Sequence, residues 1–312
     1  MHLIGLREMD RRQMIGLLDR AEDYLKEDGT VTTPASRRRE LEDTTVGLLF
    51  LEASTGTRVS FELAARRLGA DTVIVTPQEG ERWREESATD ACRTLAAMGV
   101  DGFIVRHHDR QLPHMLVDRL QVPIINAGNG SGEHPTQGLL DALTLRRHFG
   151  LEKDLSGLKV AIMGDVVHSR VARSDAHAFS KLGAEVLLAG PRMLLPSGDR
   201  GQRWPGEMST SRKEAITWAD AVVMLPIAQE RIHGTIIDPH DYAMDWGVDS
   251  SIMERYLDRE AVILHPGPVV RGVELSDPVV DNERCLILKQ VTNGVAMRQA
   301  VLQTYFASAS LS

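Results

Sequence analysis

Apolar and polar positions along the chain alternate in two rhythms. Residues 6–26 carry Leu6, Met9, Ile15, Leu18, Ala21, Tyr24 and Leu25 at roughly helical spacing with charges between them, which predicts an amphipathic opening helix. Short apolar runs follow at 46–51, 72–75, 102–105 and 122–125, separated by segments of helical period. A short run of consecutive apolar residues reads as a strand covered on both faces, and its alternation with helices predicts a parallel sheet. The same rhythm returns at 158–163, 184–189, 220–225 and 261–266. The expected fold class is α/β, with two doubly wound parallel-sheet domains.

Between the halves runs PTQGLLDALTLRRHFG (135–150), with Pro135 suited to a first helical position and Gly150 to a C-terminal cap. A helix here joins two expected domains, 1–148 and 149–312. The last segment, VTNGVAMRQAVLQTYFASA, predicts a C-terminal helix that packs back on either domain. Residues 190–210 read as a long irregular loop.

Composition narrows the function. With 312 residues, 42% of them hydrophobic, the chain can fill two cores. Aromatics at 4% and a formal charge of -8 argue against a nucleic-acid platform or a general polyanion binder, so an anion site must be built locally. The N-terminus MHLIGLREMDRRQ is charged by its seventh residue and lacks the apolar core of a secretory signal, and no segment approaches the ~20 apolar residues of a membrane helix. A soluble cytoplasmic protein, with no membrane and no nucleic-acid partner, is expected. Cys92 and Cys285 have no neighbouring cysteine, so neither a disulfide framework nor a zinc knuckle is indicated.

LEASTGTRVSFE (51–62) leaves a strand and enters a helix that Gly69 would stop. Ser54, Thr55 and Thr57 surround Gly56, and Arg58 follows. Hydroxyls, free N–H groups and the positive end of a helix suit a phosphate; ordinary N-capping by Ser or Thr is the equal alternative. The stretch is not a P-loop. A glycine-rich loop, 126–137, brings His134 and Gln137 to the start of the joining helix, where a neutral imidazole could polarise a carbonyl oxygen or could simply cap or pack. After the run at 158–163 there is no GxGxxG, and Arg170 could hold a carboxylate by a bidentate pair or, like Arg173, be solvated or at an interface. His107, His108 and His114 have no HExxH spacing and no carboxylate in a ligand pattern, so no metal and no cofactor is expected.

Taken together, STGTRVSFELAARRLGAD, DACRTLAAMGVDGFIVRH, INAGNGSGEHPTQGLLDALTL, VAIMGDVVHSRVARS, ILHPGPVVRGVE and QVTNGVAMRQAVL resemble the aspartate/ornithine carbamoyltransferase family, and within it the bacterial aspartate carbamoyltransferase catalytic chains. The resemblance spans nearly the whole chain. It implies a carbamoyl-phosphate domain, an acceptor domain, a trimer or assembly of trimers with active sites between protomers, and amine attack on a carbamoyl carbon in a pyrimidine-biosynthesis type of reaction. By resemblance, Ser54, Thr55, Gly56, Thr57 and Arg58 match the phosphate loop. Arg106, His134 and Gln137 match the residues that hold the carbamoyl group, with Thr57, Arg106 and His134 stabilising the oxyanion. Arg170 matches the arginine that binds the acceptor's carboxylate, while His265, Pro266 and Gly267 match the turn whose carbonyl receives the amine.

Five positions depart from the family pattern. The first arginine of the phosphate loop is Gly56. The neighbouring subunit's serine and lysine align with Gly80 and Arg84, in a loop (79–86) holding four glutamates and two arginines. The Leu-Arg-Ile-Gln pattern that grips aspartate becomes Leu225-Pro226-Ile227-Ala228. A lost charge-assisted hydrogen bond costs roughly 1.5 to 3 kcal/mol, and a lost transition-state donor about 10² to 10³ in rate. Two functions follow: a transferase with weak or altered use of carbamoyl phosphate, another carbamoyl or ureido compound, or the amino acid; or a non-catalytic paralogue that is a structural or regulatory partner of another enzyme.

Overall fold

The computed structural model describes residues 1–33, 37, 39–76, 85–197, 204–227 and 238–307, with the backbone alone at 85 and 86. Gly80, Arg84 and Ala228 lie outside the described residues. The first helix, α1 (Arg11–Glu22), is shorter than the periodicity predicts because Asp10 starts it. The Asp10 side chain accepts from the Gln13 N–H while Gln13 reaches back to the Asp10 N–H, a capping box that leaves residues 6–9 outside the helix.

Next come β1 (Thr45–Phe50), α2 (Thr55–Arg67), β2 (Asp71–Val75), α3 (Glu85–Ala97), β3 (Gly102–His107), α4 (Leu112–Arg119) and β4 (Ile124–Asn129). The strands form an all-parallel sheet in the order β2-β1-β3-β4. Leu49, Phe103, Val105, Leu112, Leu116 and Ile124 fill the core beside it. β4 runs further than expected, to Asn129, because it keeps pairing with β3 as far as His107, across an irregularity between Val105 and His107.

α5 (Pro135–His148) leads to β5 (Lys159–Met163), α6 (Arg170–Lys181), β6 (Glu185–Ala189), β7 (Glu207–Ser209), α7 (Arg212–Trp218), β8 (Ala221–Met224), α8 (Pro239–Trp246), α9 (Ser250–Tyr256), β9 (Val262–Leu264), α10 (Asp277–Val280) and α11 (Ile287–Phe306). The second sheet is also parallel, ordered β7-β6-β5-β8-β9. Its core includes Met163, Leu187, Val222, Met224, Trp246 and Ile263. β7 lies inside the stretch expected to be irregular; it is a three-residue edge strand defined by pairing with β6, too short to show a period of its own.

Two compact units result, Met1–Leu143 with Val291–Ser312, and Thr144–Gln290. The division falls within α5, ahead of the expected boundary at 148, and takes Val291–Ser312 with the first unit instead of the second. Both α5 and α11 cross it. Among the described residues no helix is long and apolar enough to cross a membrane.

Candidate active site

In a parallel sheet the loops after the strands gather at one edge, and a crevice opens where neighbouring strands send their connections in opposite directions. The first sheet has that switch point between β1 and β3. β1 ends at Phe50, which is in register with Arg106 of β3. The turn that follows carries Glu52 and Ser54 into α2, whose first turn holds no acidic residue. A cavity of about 350 Å³ opens here, with Glu52, Ser54, Thr55, Arg58 and Thr76 in its wall.

Ser54 precedes α2, but its hydroxyl makes no capping hydrogen bond, so the ordinary N-cap alternative does not describe it. The N-terminus of this 13-residue helix, the wall residues Ser54, Thr55 and Thr76 with their hydroxyls, and the Arg58 guanidinium make the cavity suited to a tetrahedral anion. Arg58 is 3.7 Å from Glu62, a long ion pair within the helix. Gly56 stands exposed in the first turn, and a β-carbon there would meet nothing within 4 Å.

Arg106 ties the wall to β4. Its Nη2 lies 3.4 Å from a Glu52 carboxylate oxygen and its Nη1 donates to the Ala127 carbonyl at 3.2 Å. Beyond β4, buried His134 begins α5 by accepting from the Gln137 and Gly138 N–H groups at 2.9 and 3.2 Å. Gln137 turns its amide nitrogen onto both oxygens of Asp141, at 3.1 and 3.2 Å, which leaves its amide oxygen to accept from a ligand N–H.

Under α2 and α5 lies Arg298 of α11, 4% exposed. It donates to the Ser60 hydroxyl at 2.9 Å and stacks 5.0 Å from the Phe61 ring centre. Burial pushes its pKa down to about 10, with Asp141 opposing the fall and Arg106 adding to it. A cation is thereby held behind both the anion turn and Gln137.

The second unit has its switch point between β5 and β8. The Leu225 N–H donates to the Met163 carbonyl at 2.8 Å, drawing the two strand ends together. Gly164, at φ +123°, follows β5; a β-carbon would sit 3.2 Å from Leu225 and from the Tyr242 hydroxyl. Ser169 caps α6 by accepting from the Ala172 N–H, and Arg170, 9% exposed, is the helix's first residue, so it is not a solvated arginine. Arg173 instead stacks on Trp204 at 4.3 Å. Half-buried Pro226 is followed by Ile227, whose N–H donates to Glu274 at 3.0 Å, while the second Glu274 oxygen accepts from Val270 at 2.8 Å. This fully buried carboxylate therefore joins the loops after β8 and β9.

After β9, His265 is 1% exposed. Its N–H donates to the Gln290 side chain at 3.0 Å, and its Nδ1 accepts from the Gly267 N–H at 2.9 Å. Burial pushes its pKa down to about 4, so the ring is neutral near pH 7. That bond shapes the Pro266-Gly267 turn, where Gly267 has φ +68°. Among the described residues no group of three or more His, Cys, Asp or Glu is placed to hold a metal ion.

The family profile described as "Aspartate/ornithine carbamoyltransferase, carbamoyl-P binding domain" matches residues 1–147. The "Aspartate/ornithine carbamoyltransferase, Asp/Orn binding domain" profile matches 156–305. The chain belongs to the aspartate/ornithine carbamoyltransferase family.

Within this carbamoyltransferase family, the chain is 42% identical to the aspartate carbamoyltransferase catalytic subunit of Solibacter usitatus over 302 residues, covering 96% of this chain and 97% of that one. It is 39% identical to the corresponding subunit of Streptomyces coelicolor, covering 96% and 93%. Among solved structures, the ornithine carbamoyltransferase of Thermus thermophilus superposes with a TM-score of 0.81 at 27% identity, covering 98% of both chains.

Several neighbours of the candidate site give little sign of themselves in the sequence. Glu52 lies inside the anion motif, where an acidic residue carries the wrong sign for the expected ligand. Asp141 and Arg298 each interrupt an apolar run, LLDAL and VAMRQAVL, and a lone charge in such a run is the available signal of a buried pair. Glu274 gives no local sign, because its partners are backbone groups, one of them 47 positions earlier in the chain.

Proposed function

We propose that the chain catalyses carbamoyl transfer from carbamoyl phosphate to an amino acid, with weakened donor use and an altered preference for the acceptor. The observation that carries this reading is Gly56. The cavity keeps Ser54, Thr55 and Arg58 in its wall, while the family's additional guanidinium is absent from an open position on the first turn of α2.

Phosphate sits against the α2 N-terminus, Ser54, Thr55 and Arg58, and the carbamoyl oxygen faces Thr57, Arg106 and His134. Gln137 accepts from the carbamoyl NH₂. Arg170 holds the acceptor's carboxylate, and the Pro266 carbonyl, in the turn with Gly267, accepts from its amine. The amine nitrogen attacks the carbamoyl carbon and an oxyanion develops toward Thr57, Arg106 and His134. The C–O bond to phosphate then breaks, and the amine's surplus proton leaves with the phosphate.

On the acceptor side Pro226 supplies no donor where the family has arginine, which disfavours a second carboxylate such as that of aspartate. The unit Met1–Leu143 with Val291–Ser312 acts as the carbamoyl-phosphate domain and Thr144–Gln290 as the acceptor domain. The active form is a trimer, or an assembly of trimers, in the cytoplasm, with Arg84 and Gly80 on the loop that enters a neighbour's site. Exposed Val59 and Leu63 on α2 and Ile74 on edge strand β2 support an interface there.

The test is carbamoyl-amino acid formation by purified protein across an acceptor panel. Aspartate turnover is expected, and Gly56→Arg is expected to raise it by about 10- to 100-fold. Pro226→Arg should lower the KM for aspartate specifically. The loss of donors at both Gly56 and Pro226 favours a second reading, a non-catalytic paralogue that binds a partner enzyme. It prevails if neither the parent nor Gly56→Arg, Pro226→Arg turns over any acceptor.

A further inference from the structure

Glu133, the residue before His134, is fixed at every polar group. Its N–H donates to the Asn129 side chain at 2.7 Å, and its carbonyl accepts from the Asn126 side chain at 3.1 Å and the Asn129 N–H at 3.3 Å. Its carboxylate accepts from the N–H groups of Leu6 and Arg7, 127 and 126 positions earlier in the chain, at 2.6 and 3.3 Å.

The segment that supplies those donors is itself anchored. Leu3 runs beside β4, donating to Ile124 at 2.9 Å and accepting from Asn126 at 2.8 Å, and the Ile4 carbonyl accepts from the Asn126 amide at 2.8 Å. Leu3 and Leu6 are buried. Gly5 passes so close to the Glu133 carboxylate that a β-carbon would collide with it. Asn126 and Asn129 also bond each other at 3.0 Å, and Asn129 reaches the Arg110 carbonyl at 2.7 Å.

We infer that the Leu3–Arg7 strap and Glu133 position the His134 imidazole, making Glu133 a positioning residue of the carbamoyl subsite. The inference rests on the carbamoyl-transfer reading above. His134 is fixed on its far side by the first turn of α5, through the bonds its carbonyl accepts. On its near side the loop contains Gly128, Gly130 and Gly132, the first two at positive φ, and glycine loses the most freedom when ordered. The strap removes that freedom at the last residue before the ring. Phosphate is held by a different element, α2, so the strap acts on carbonyl recognition and not on the anion.

The test compares dissociation constants of inorganic phosphate and phosphonoacetamide, a stable carbonyl-bearing analogue, for the full-length parent, Glu133→Ala and Glu133→Gln. Alanine removes both acceptors, whereas glutamine keeps one oxygen for the Leu6 N–H. Expected is a fall of about five- to tenfold in preference for phosphonoacetamide over phosphate in Glu133→Ala, the scale of one lost hydrogen bond. Phosphate affinity should be unchanged, and Glu133→Gln should stay within about twofold of the parent, having kept the shorter bond. An unchanged preference in Glu133→Ala overturns the positioning role, as does parallel loss of both ligands, which marks general disruption. A parent that binds neither probe overturns the carbamoyl-site reading itself.

Discussion

Individual side chains set the chemistry through their surroundings more than through their type. His265 shows this most directly: burial lowers its pKa from 6.5 to about 4, and its Nδ1 accepts a backbone N–H only while unprotonated at that nitrogen. Because the folded value lies below the unfolded one, the unfolded chain binds more protons between them. The stability that neutral His265 contributes is therefore present above pH 6.5 and is lost as pH falls toward 4. The loss between pH 7.5 and 5 should be about 2 kcal/mol. His265→Asn keeps an acceptor without a titrating ring, so urea titrations should show that part of the pH dependence removed; an identical slope in parent and variant would count against it. At this scale the sequence was partly legible. Ser54, Thr55 and Arg58 meet in one cavity because strand, turn and helix are local events. Glu52, Asp141 and Glu274 were not, since each interacts with a residue distant in sequence, Arg106, Arg298 and Ile227 respectively.

At the scale of elements, apolar periodicity located the long strands of both sheets. It could not show β7, which exists only by pairing with β6, nor the short start of α1, which a polar cap decides. The same limit hid what α11 does. Its periodicity announces a helix, while its consequence is a buried cation set against α2 and α5. Arg298→Met keeps length and apolar bulk but removes the buried cation whose charge acts on buried Asp141, which keeps its Gln137 bonds. Removing one partner from such a pair costs about 3 to 5 kcal/mol. Asp141→Asn in the Arg298→Met background should recover part of that loss, giving a coupling of at least about 1 kcal/mol in a denaturation double-mutant cycle. Additive costs would mean that Arg298 acts through Ser60 and Phe61 alone.

At the scale of the whole chain, each compact unit has its own parallel sheet and core, so a ligand and a proton should act on different parts of it. The anion cavity is walled by residues of the first unit, whereas His265 and its partners Gln290 and Gly267 belong to the second. Phosphate at one hundred times its dissociation constant stabilises a state that binds it by about 2.7 kcal/mol. Hydrogen exchange with and without phosphate should therefore show the gain in β1 and α2, with little change in β5 and β8. Lowering the pH from 7.5 to 5 should do the reverse, loosening β9 and the turn at Pro266 while β1 keeps its protection. A uniform response to both treatments would mean that openings large enough to exchange these amides involve the entire chain, and that binding at one switch point stabilises both. The separated response would instead make the anion site tunable without disturbing the second unit. Gly56→Arg could then be judged on phosphate affinity alone, because a β-carbon at its exposed position meets nothing within 4 Å.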